Sequence, residues 1–408
     1  MVVTPRIREF GLMTPVMEEP LVKVRPRPKP FFLRPRFLLI FTPFGAFAVA
    51  GLVTLLLCGN LLLPFQRLVT LEGKAGSKAV FFNDEQVRKI LLRHHLQVHI
   101  SQMGSQAAVD TDHTSDDFVF TSGQPSAELL LDRLRTGNRY NIVYRPFVSP
   151  IVLATYREYA ETLQRNGAAT PQRNQIIGQP LYYNLNLTAF LNLIRQHRTW
   201  DQLGIRAFGI SSGNQVLAKT TDVCRTNGGP TYLGMVSYLI HGRVPTSDRE
   251  AEDFATDIKP LLGEGLPEDE PVQYFVQEGK ATPIIVMYEH QYLSYQLQAI
   301  KRMSKPDYDR VLLYPYPGFQ TLPEFIALTK DGDQLGQLLN TDPQLRRREL
   351  ELGLRVLDPT GANSSEQMAR FLIKQRVQAP SIPVDYTRAE LPEVNLLDKM
   401  DSVIYGCH

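Results

Sequence analysis

Cysteine, tryptophan and metal-binding motifs are scarce in this sequence of 408 residues. It contains three cysteines, one tryptophan and eight histidines. No Cys-x-x-Cys pair occurs, and no cysteine–histidine spacing is typical of a zinc site. A phosphate-binding P-loop and a His-Glu-x-x-His metalloprotease motif are also absent. We therefore expect no metal, no cofactor and no catalytic residues, and we do not expect an enzyme.

Net charge is low as well, and it is unevenly distributed. The whole chain carries +2. Residues 1–36 hold eight Lys or Arg against three Glu, which is +5, so −3 remains for the rest of the chain. The basic excess belongs to a proline-rich tail that includes "VRPRPKP", so it does not indicate nucleic-acid binding by the main body. Prolines prevent a stable helix there, and we expect an extended tail that is attracted to anionic lipid.

A long stretch without any charged residue follows this tail. Residues 37–66 read "FLLIFTPFGAFAVAGLVTLLLCGNLLLPFQ". Roughly 20 apolar residues suffice for a helix to cross a bilayer, so we predict a transmembrane helix at about 44–65. A buried core helix is the alternative. No small-residue cleavage site is present in "LLPFQRLV", which favours a retained signal-anchor. The basic residues before the span predict a cytoplasmic N-terminus and a main body outside the cytoplasm.

Short β-rich runs alternate with amphipathic helical runs beyond residue 67. Strands are predicted over "RLVTLEG", "LQVHIS", "DFVFTSG", "IRAFGISS" and "RVLLYPYP". The run "NDEQVRKILLRHH" predicts a helix that Asn83 caps. This alternation predicts an α/β fold with mainly parallel sheets. Ligands of such folds bind at the carboxyl ends of the strands.

Four predicted strand ends carry loops of small and hydroxylic residues. They are "GKAGSK" (73–78), "MGSQ" (103–106), "TSGQPS" (121–126) and "TTDVCRTNGG" (220–229). Such loops expose backbone N–H groups and hydroxyls beside the positive end of a helix, which suits an anion or a polar solute. Ser, Thr and Asn also cap helices without binding a ligand, so each loop alone leaves both interpretations open.

The three cysteines fall in two predicted environments. Cys58 lies in the predicted span, whereas Cys224 and Cys407 lie in the predicted external part. Oxidation is permitted there. Nothing in the sequence brings Cys224 and Cys407 together, so their pairing stays open at this level.

The order of these motifs resembles that of type II periplasmic solute-binding proteins. More narrowly, it is similar to membrane-anchored bacterial substrate-binding-domain proteins that are associated with von Willebrand A-type domains. No Asp-x-Ser-x-Ser metal motif of such a companion domain occurs in this chain. The resemblance covers about 68–358 and rests on seven collinear runs: "GSKAVFFNDEQVRKIL", "DFVFTSGQPSAELL", "RPFVSPIVLATYREYAETLQRNG", "HRTWDQLG", "KTTDVCRTNGGPTYLGMVSYL", "GKATPIIVMYEHQYL" and "VLLYPYPGFQTLPEFIALT".

The resemblance implies an α/β, two-lobed periplasmic-binding-protein-like (type II) fold that closes about a hinge. Lobe 1 would comprise 68–148 and 310–390, lobe 2 would comprise 149–309, and 391–408 would be a C-terminal extension. Glu289 would oppose an anion unless it is paired. The residues that the resemblance places in the ligand cleft are Gly76, Ser77, Gly104, Ser105, Ser122, Gly123, Thr155, Thr221, Thr226, Asn227, Tyr288 and Glu289.

These features predict a membrane-tethered protein of the bacterial inner membrane whose main body is periplasmic. It would bind or sense a small polar solute, such as an oxyanion, without catalysis. A transmembrane anchor with a cytoplasmic tail favours a sensor, or docking to a transporter or another membrane complex. The alternative is a ligand-free bilobal scaffold whose contact surfaces are 243–271 and 376–408. A closed apolar cleft without convergent donors would favour that alternative.

Overall fold

The computed structural model describes residues 68–172, 179–266, 271–277, 279–357, 365–381 and 389–407. The predicted basic tail (1–36) and the predicted transmembrane span (37–66) both lie outside these residues. Within the described ranges, no helix combines the length and the apolar character that a bilayer crossing requires.

Twelve strands and fourteen α-helices occur in the described ranges. The strands are β1 (Val69–Ala75), β2 (Leu96–Gln102), β3 (Phe118–Phe120), β4 (Ile142–Tyr144), β5 (Phe147–Tyr156), β6 (Ala169–Pro171), β7 (Tyr182–Asn186), β8 (Ile284–Tyr288), β9 (Arg310–Tyr316), β10 (Gln320–Thr321), β11 (Phe325–Ala327) and β12 (Arg355–Val356). The helices are α1 (Ala79–Asn83), α2 (Glu85–Arg93), α3 (Ser105–Val109), α4 (Gln124–Thr136), α5 (Arg157–Arg165), α6 (Leu187–Arg195), α7 (Gly228–His241), α8 (Asp248–Ile258), α9 (Pro271–Gln277), α10 (Glu289–Met303), α11 (Lys330–Thr341), α12 (Pro343–Glu351), α13 (Ser365–Lys374) and α14 (Val394–Tyr405). Short 3-10 helices cover Ile205–Phe208, Lys259–Leu261 and Gly279–Ala281.

The smaller of two sheets has five strands in the order β2-β1-β3-β11-β4. β1 is parallel to β2 and β3, whereas β11 is antiparallel to β3 and β4. Its core is rich in phenylalanine, and the rings of Phe118 and Phe325 stack with centroids 4.7 Å apart. Because β1 and β3 are parallel neighbours, the loops that follow them emerge side by side at one edge of the sheet.

The larger sheet has seven strands, and β5 is its centre. β5 pairs with β8, β9, β10 and β12, always antiparallel, while β7 and β9 are parallel. The prediction of mainly parallel sheets is therefore wrong for this sheet. The chain enters it through β5 directly from β4 of the smaller sheet, and β5 then runs opposite to the strands that later pair with it.

The segment 310–390, which the sequence division assigns to lobe 1, is shared between the two sheets. β9 pairs with β5 and β7 in the larger sheet, and α13 buries Met368 and Leu372 in the core of that sheet. β11 pairs in the smaller sheet, and Leu335 of α11 and Leu345 of α12 join its core. Within the described residues, β11, α11 and α12 return the chain to the smaller sheet, and Leu354 just after α12 also joins its core.

Two local predictions are wrong for identifiable reasons. Asp84, not Asn83, caps α2, because its carboxylate accepts hydrogen bonds from the backbone N–H groups of Gln86 and Val87 at 3.0 and 3.1 Å. The run "IRAFGISS" is a 3-10 helix followed by a loop, not a strand. Gly204 and Gly209 flank that helix with φ of 88° and 73°, a left-handed conformation that interrupts a strand.

Candidate functional site

A small cavity lies where the loops after β1, β2 and β3 meet the loop that precedes α7. Its volume is about 40 Å³. A water molecule needs roughly 10–15 Å³ of such space, so the cavity holds on the order of three waters or one small solute. Its lining is Gly76, Ser77, Gln102, Met103, Gly104, Ser122, Thr221, Thr226, Asn227, Gly228, Pro271, Val286, Met287, Tyr288 and Gln291.

Eight of the twelve residues predicted for the cleft are among this lining. Gly123 lies beside it, because a Cβ on Gly123 would stand 2.3 Å from Nδ2 of Asn227. Ser105 is the first residue of α3, directly after Gly104. The eight that line the cavity are Gly76, Ser77, Gly104, Ser122, Thr221, Thr226, Asn227 and Tyr288.

Hydroxyl groups from both sheets face one another across this cavity. The Oγ atoms of Ser77, after β1, and Ser122, after β3, are 3.0 Å apart. On the other side, Oγ1 of Thr221 and Oγ1 of Thr226 are 2.6 Å apart. The Thr226 hydroxyl donates to the carbonyl of Asp222 at 2.7 Å, so the Thr221 hydroxyl is the donor between the two threonines. The local hydrogen bonds therefore fix the direction of both threonine hydroxyls.

Tyr288 and Asn227 close one wall of the cavity. Nδ2 of Asn227 donates to Oη of Tyr288 at 3.4 Å and to Oγ1 of Thr231 at 3.3 Å. Burial raises the pKa of Tyr288, although hydrogen bonds with Asn227 and Ser122 oppose that shift. Tyr288 therefore stays a neutral phenol that can donate or accept a hydrogen bond.

Gly104 permits the loop after β2 to touch the loop before α7. A Cβ on Gly104 would lie 1.4 Å from the carbonyl oxygen of Arg225, a separation that no side chain tolerates. The two loops belong to different sheets, so this contact joins the two sides of the cavity. Glycine is required here by close approach of two backbones.

A disulfide bond holds the loop before α7 to the C-terminal helix. Cys224 and Cys407 are bonded, with Cα atoms 5.2 Å apart and a sequence separation of 183. α14, which ends just before Cys407, packs against α7 and α8. The pairing that the sequence leaves open is therefore present. The disulfide therefore links the loop that carries Thr221, Thr226 and Asn227 covalently to the segment after α14.

Glu289 and Thr155 do not line the cavity, contrary to the prediction. Glu289 is fully buried; its carboxylate accepts from Nη2 of Arg355 at 2.9 Å and also binds Nε of Arg355 and the hydroxyl of Tyr314. It follows Tyr288 at the end of β8, and successive side chains of a strand point to opposite faces. Thr155 lies in β5 between two neighbouring strands, where its hydroxyl donates to the carbonyl of Pro283 at 2.7 Å.

Sequence reasoning missed Lys78, which lies behind Ser77. Lys78 is 1% exposed. Its Nζ donates to Oγ of Ser77 at 3.1 Å and lies 4.4 Å from the centre of the Tyr288 ring. Lys78 is the last residue of the run "GKAGSK", but a single lysine at the start of a helix is usually exposed to solvent, so nothing in the sequence indicated its burial.

The run "GISSG" (209–213) has the Gly-x-Ser-x-Gly spacing of a hydrolase nucleophile elbow. That elbow is a sharp turn from a strand into a helix. Here the run follows a 3-10 helix and enters a loop in which Ser211 is exposed, and the backbone N–H of Ser212 donates to Asp201 at 2.9 Å. The run therefore lacks the geometry of the elbow. Among the described residues, no group of three or more His, Cys, Asp and Glu could hold a metal ion.

No protein-family model and no curated protein sequence matches this chain. Among solved structures, it is similar to iron-bound HitA from Pseudomonas aeruginosa, at 13% identity and a TM-score of 0.46 over 82% of this chain and 99% of that one. A two-component system protein that mediates signal transduction is similar at 12% identity and a TM-score of 0.49, over 81% of this chain and 100% of that one. An ABC transporter solute-binding protein from Thermotoga lettingae, bound with α-D-tagatose, is similar at 11% identity and a TM-score of 0.47, over 82% of this chain and 93% of that one. With identities of 11–13% and TM-scores below 0.5, these similarities carry no functional argument.

Proposed function

We propose that this chain is a membrane-tethered, extracytoplasmic solute-binding protein that holds a small polar solute between two lobes and catalyses no reaction. The observation that supports this proposal most is the convergence of hydroxyl and amide groups on one cavity. Ser77 and Ser122 come from loops of the smaller sheet, while Thr221 and Asn227 come from the loop before α7. Convergent polar groups in a concave site are the usual basis of small-ligand recognition.

An oxyanion suits this cavity better than a cation. Among the described residues that line it, none is an Asp or a Glu. Glu289, the carboxylate that would oppose an anion, is bound to Arg355 and buried outside the lining. The cavity also faces Gly228, the first residue of α7, and the N-terminus of a helix favours negative charge.

The disulfide supports the proposed location outside the cytoplasm. Disulfides persist in oxidising compartments such as the periplasm and are rare in the cytosol, and Cys224 and Cys407 are bonded. The uncharged stretch 37–66 and the basic residues before it would tether the body to the inner membrane with the tail in the cytoplasm. Two lobes built on the two sheets would open about the connections between β4 and β5, between β10 and β11 and between α12 and β12. A transporter or another membrane protein would be the partner.

A thermal-shift screen of the full chain in detergent tests this proposal. Sulfate, phosphate, amino acids and sugars are the probes, and a ligand at 100-fold over its Kd stabilises the folded state by about 2.7 kcal/mol. The Thr221 hydroxyl would turn from Thr226 to donate to the probe, so Thr221→Val should weaken the active probe about fivefold through the loss of one hydrogen bond of about 1 kcal/mol. Thr188→Val, at an exposed position of α6, is the matched control and should not change affinity. Equal affinity of both variants would refute the site assignment.

The volume of about 40 Å³ favours the second candidate, a bilobal scaffold that binds no solute. Ligand pockets for drug-sized molecules usually measure about 300–1,000 Å³. A scaffold would show no thermal shift with any probe class. It would also keep its membrane partners after Thr221→Val, which native gel electrophoresis of the solubilised membrane would reveal.

A further inference from the structure

A second and larger cavity lies behind Lys78, on the far side of Ser77 from the first one. Its volume is about 180 Å³. Ser77 and Gln291 line both cavities. The described residues that line the second cavity are Ser77, Lys78, Val80, Phe81, Val272, His290, Gln291, Ser294, Tyr295, Gln298, Leu352 and Leu354.

Size and wall chemistry indicate a compact apolar occupant. An engineered protein cavity of about 150 Å³ lined by apolar side chains binds benzene, so this one has room for a single ring or a short branched chain. Phe81 of α1 and Leu354, which precedes β12, supply buried apolar surface, and the partly buried Leu352 adds to it. A wholly polar solute would leave these walls without contacts.

One positive charge distinguishes this cavity from a purely apolar one. Lys78 is 1% exposed; among the described residues that line this cavity it is the only Lys or Arg, and none of them is Asp or Glu. His290 contributes no positive charge, because burial and the nearby Lys78 hold its pKa well below the usual range. Nδ1 of His290 is 2.9 Å from Oγ of Ser149. The charge complementarity is therefore to an anion.

Gln291 supplies a neutral donor beside this charge. Its Oε1 accepts the backbone N–H of Tyr288 at 2.9 Å. The carbonyl end of the amide is thus occupied, and the NH₂ end is the part that can donate to a ligand. A carboxylate accepts from an ammonium and an amide at once, and such charge-assisted bonds are stronger than neutral ones.

We propose that the second cavity binds a small carboxylic acid with a compact apolar body, such as an aromatic or branched aliphatic acid. The carboxylate lies at Lys78 and Gln291, and the body lies against Phe81, Leu352 and Leu354. This site is separate from the polar cavity of the proposed function, and it does not depend on that function.

Isothermal titration calorimetry on the full chain in detergent tests the proposal, with benzoate as the probe and benzyl alcohol as its neutral counterpart. We expect benzoate to bind at least tenfold more tightly than benzyl alcohol. Lys78→Met keeps the apolar stem and removes the charge, so it should weaken benzoate at least tenfold and leave benzyl alcohol unchanged. Ser294→Phe fills the cavity and should abolish binding of both, and it also measures partition of the probes into detergent.

Three results would overturn the proposal. The first is the absence of benzoate binding up to about 10 mM, which corresponds to less than about 3 kcal/mol. The second is equal affinity for benzoate and benzyl alcohol, which would mean that the cavity binds the apolar ring and does not recognise the carboxylate. The third is unchanged benzoate binding by Ser294→Phe, which would place the acid elsewhere. If Lys78→Met does not fold, as judged by circular dichroism, the comparison of the two probes and the Ser294→Phe variant still decide the question.

Discussion

Replacing both Cys224 and Cys407 by Ser should destabilise the folded part of the chain measurably. The bond closes a loop of 183 residues, for which the chain-entropy relation gives about 5 kcal/mol. Unfolding entropy is about 2.1 cal/mol/K per residue. Over Pro64–His408 this amounts to about 0.7 kcal/mol/K. The expected fall in Tm is therefore about 7 °C.

Differential scanning calorimetry of the oxidised and reduced protein is the assay. Cys58→Ser is the matched control, because it removes a thiol and leaves the bonded pair intact. Reduction should lower the Tm of the wild type and of the control, and it should leave the double variant unchanged. A fall of less than about 2 °C on reduction would refute the reasoning, since the loop would then contribute far less than its length requires.

Three further changes test other features of the structure. Gly104→Ala should separate the loop after β2 from the carbonyl of Arg225 and weaken any solute of the first cavity more than tenfold, as titration would show; unchanged affinity would mean that the loops need not touch. Glu289→Gln should lower the free energy of unfolding by about 3–5 kcal/mol in a denaturant melt, because Arg355 is left as a buried unpaired charge. A loss below about 1 kcal/mol would mean that water solvates the Arg355 guanidinium in the variant. Glu349→Gln should raise Tm more at pH 8 than at pH 5. Burial raises the pKa of Glu349 in the folded state. The wild type therefore loses stability as pH rises from the unfolded-state pKa toward the raised folded-state pKa, whereas the Gln variant has no titrating group at this position. A pH-independent difference in Tm would contradict this.

The loops of the candidate site could be predicted because their signals are local. Ser77 follows a strand whose hydrophobic run is visible in the sequence, and Thr221 precedes an apolar run of helical spacing. In each case, small hydroxylic residues mark a loop that immediately precedes the start of a helix. The resemblance placed both loops in one cleft, whereas the strand order that brings them together is a finding of the structure.

Other features depend on partners far away in the sequence. Glu289 leaves the cleft because Arg355, 66 residues later, offers a buried charge pair that no local pattern reveals. β5 reads as a β-rich run whichever direction its neighbours take, so its antiparallel ladders could not be inferred. The bond between Cys224 and Cys407 likewise requires that α14 packs on α7, which is a property of the folded chain.

The contact between Gly104 and the carbonyl of Arg225 has a kinetic consequence. Three residues that line the first cavity are nearly inaccessible to solvent, with Thr221 at 8%, Asn227 at 4% and Tyr288 at 6% exposure, whereas Gln102 in the same lining is exposed. We expect a solute to reach these three buried residues only while the two loops are apart. Its observed association rate should level off at high concentration, at the rate of loop opening, well below the limit that diffusion sets.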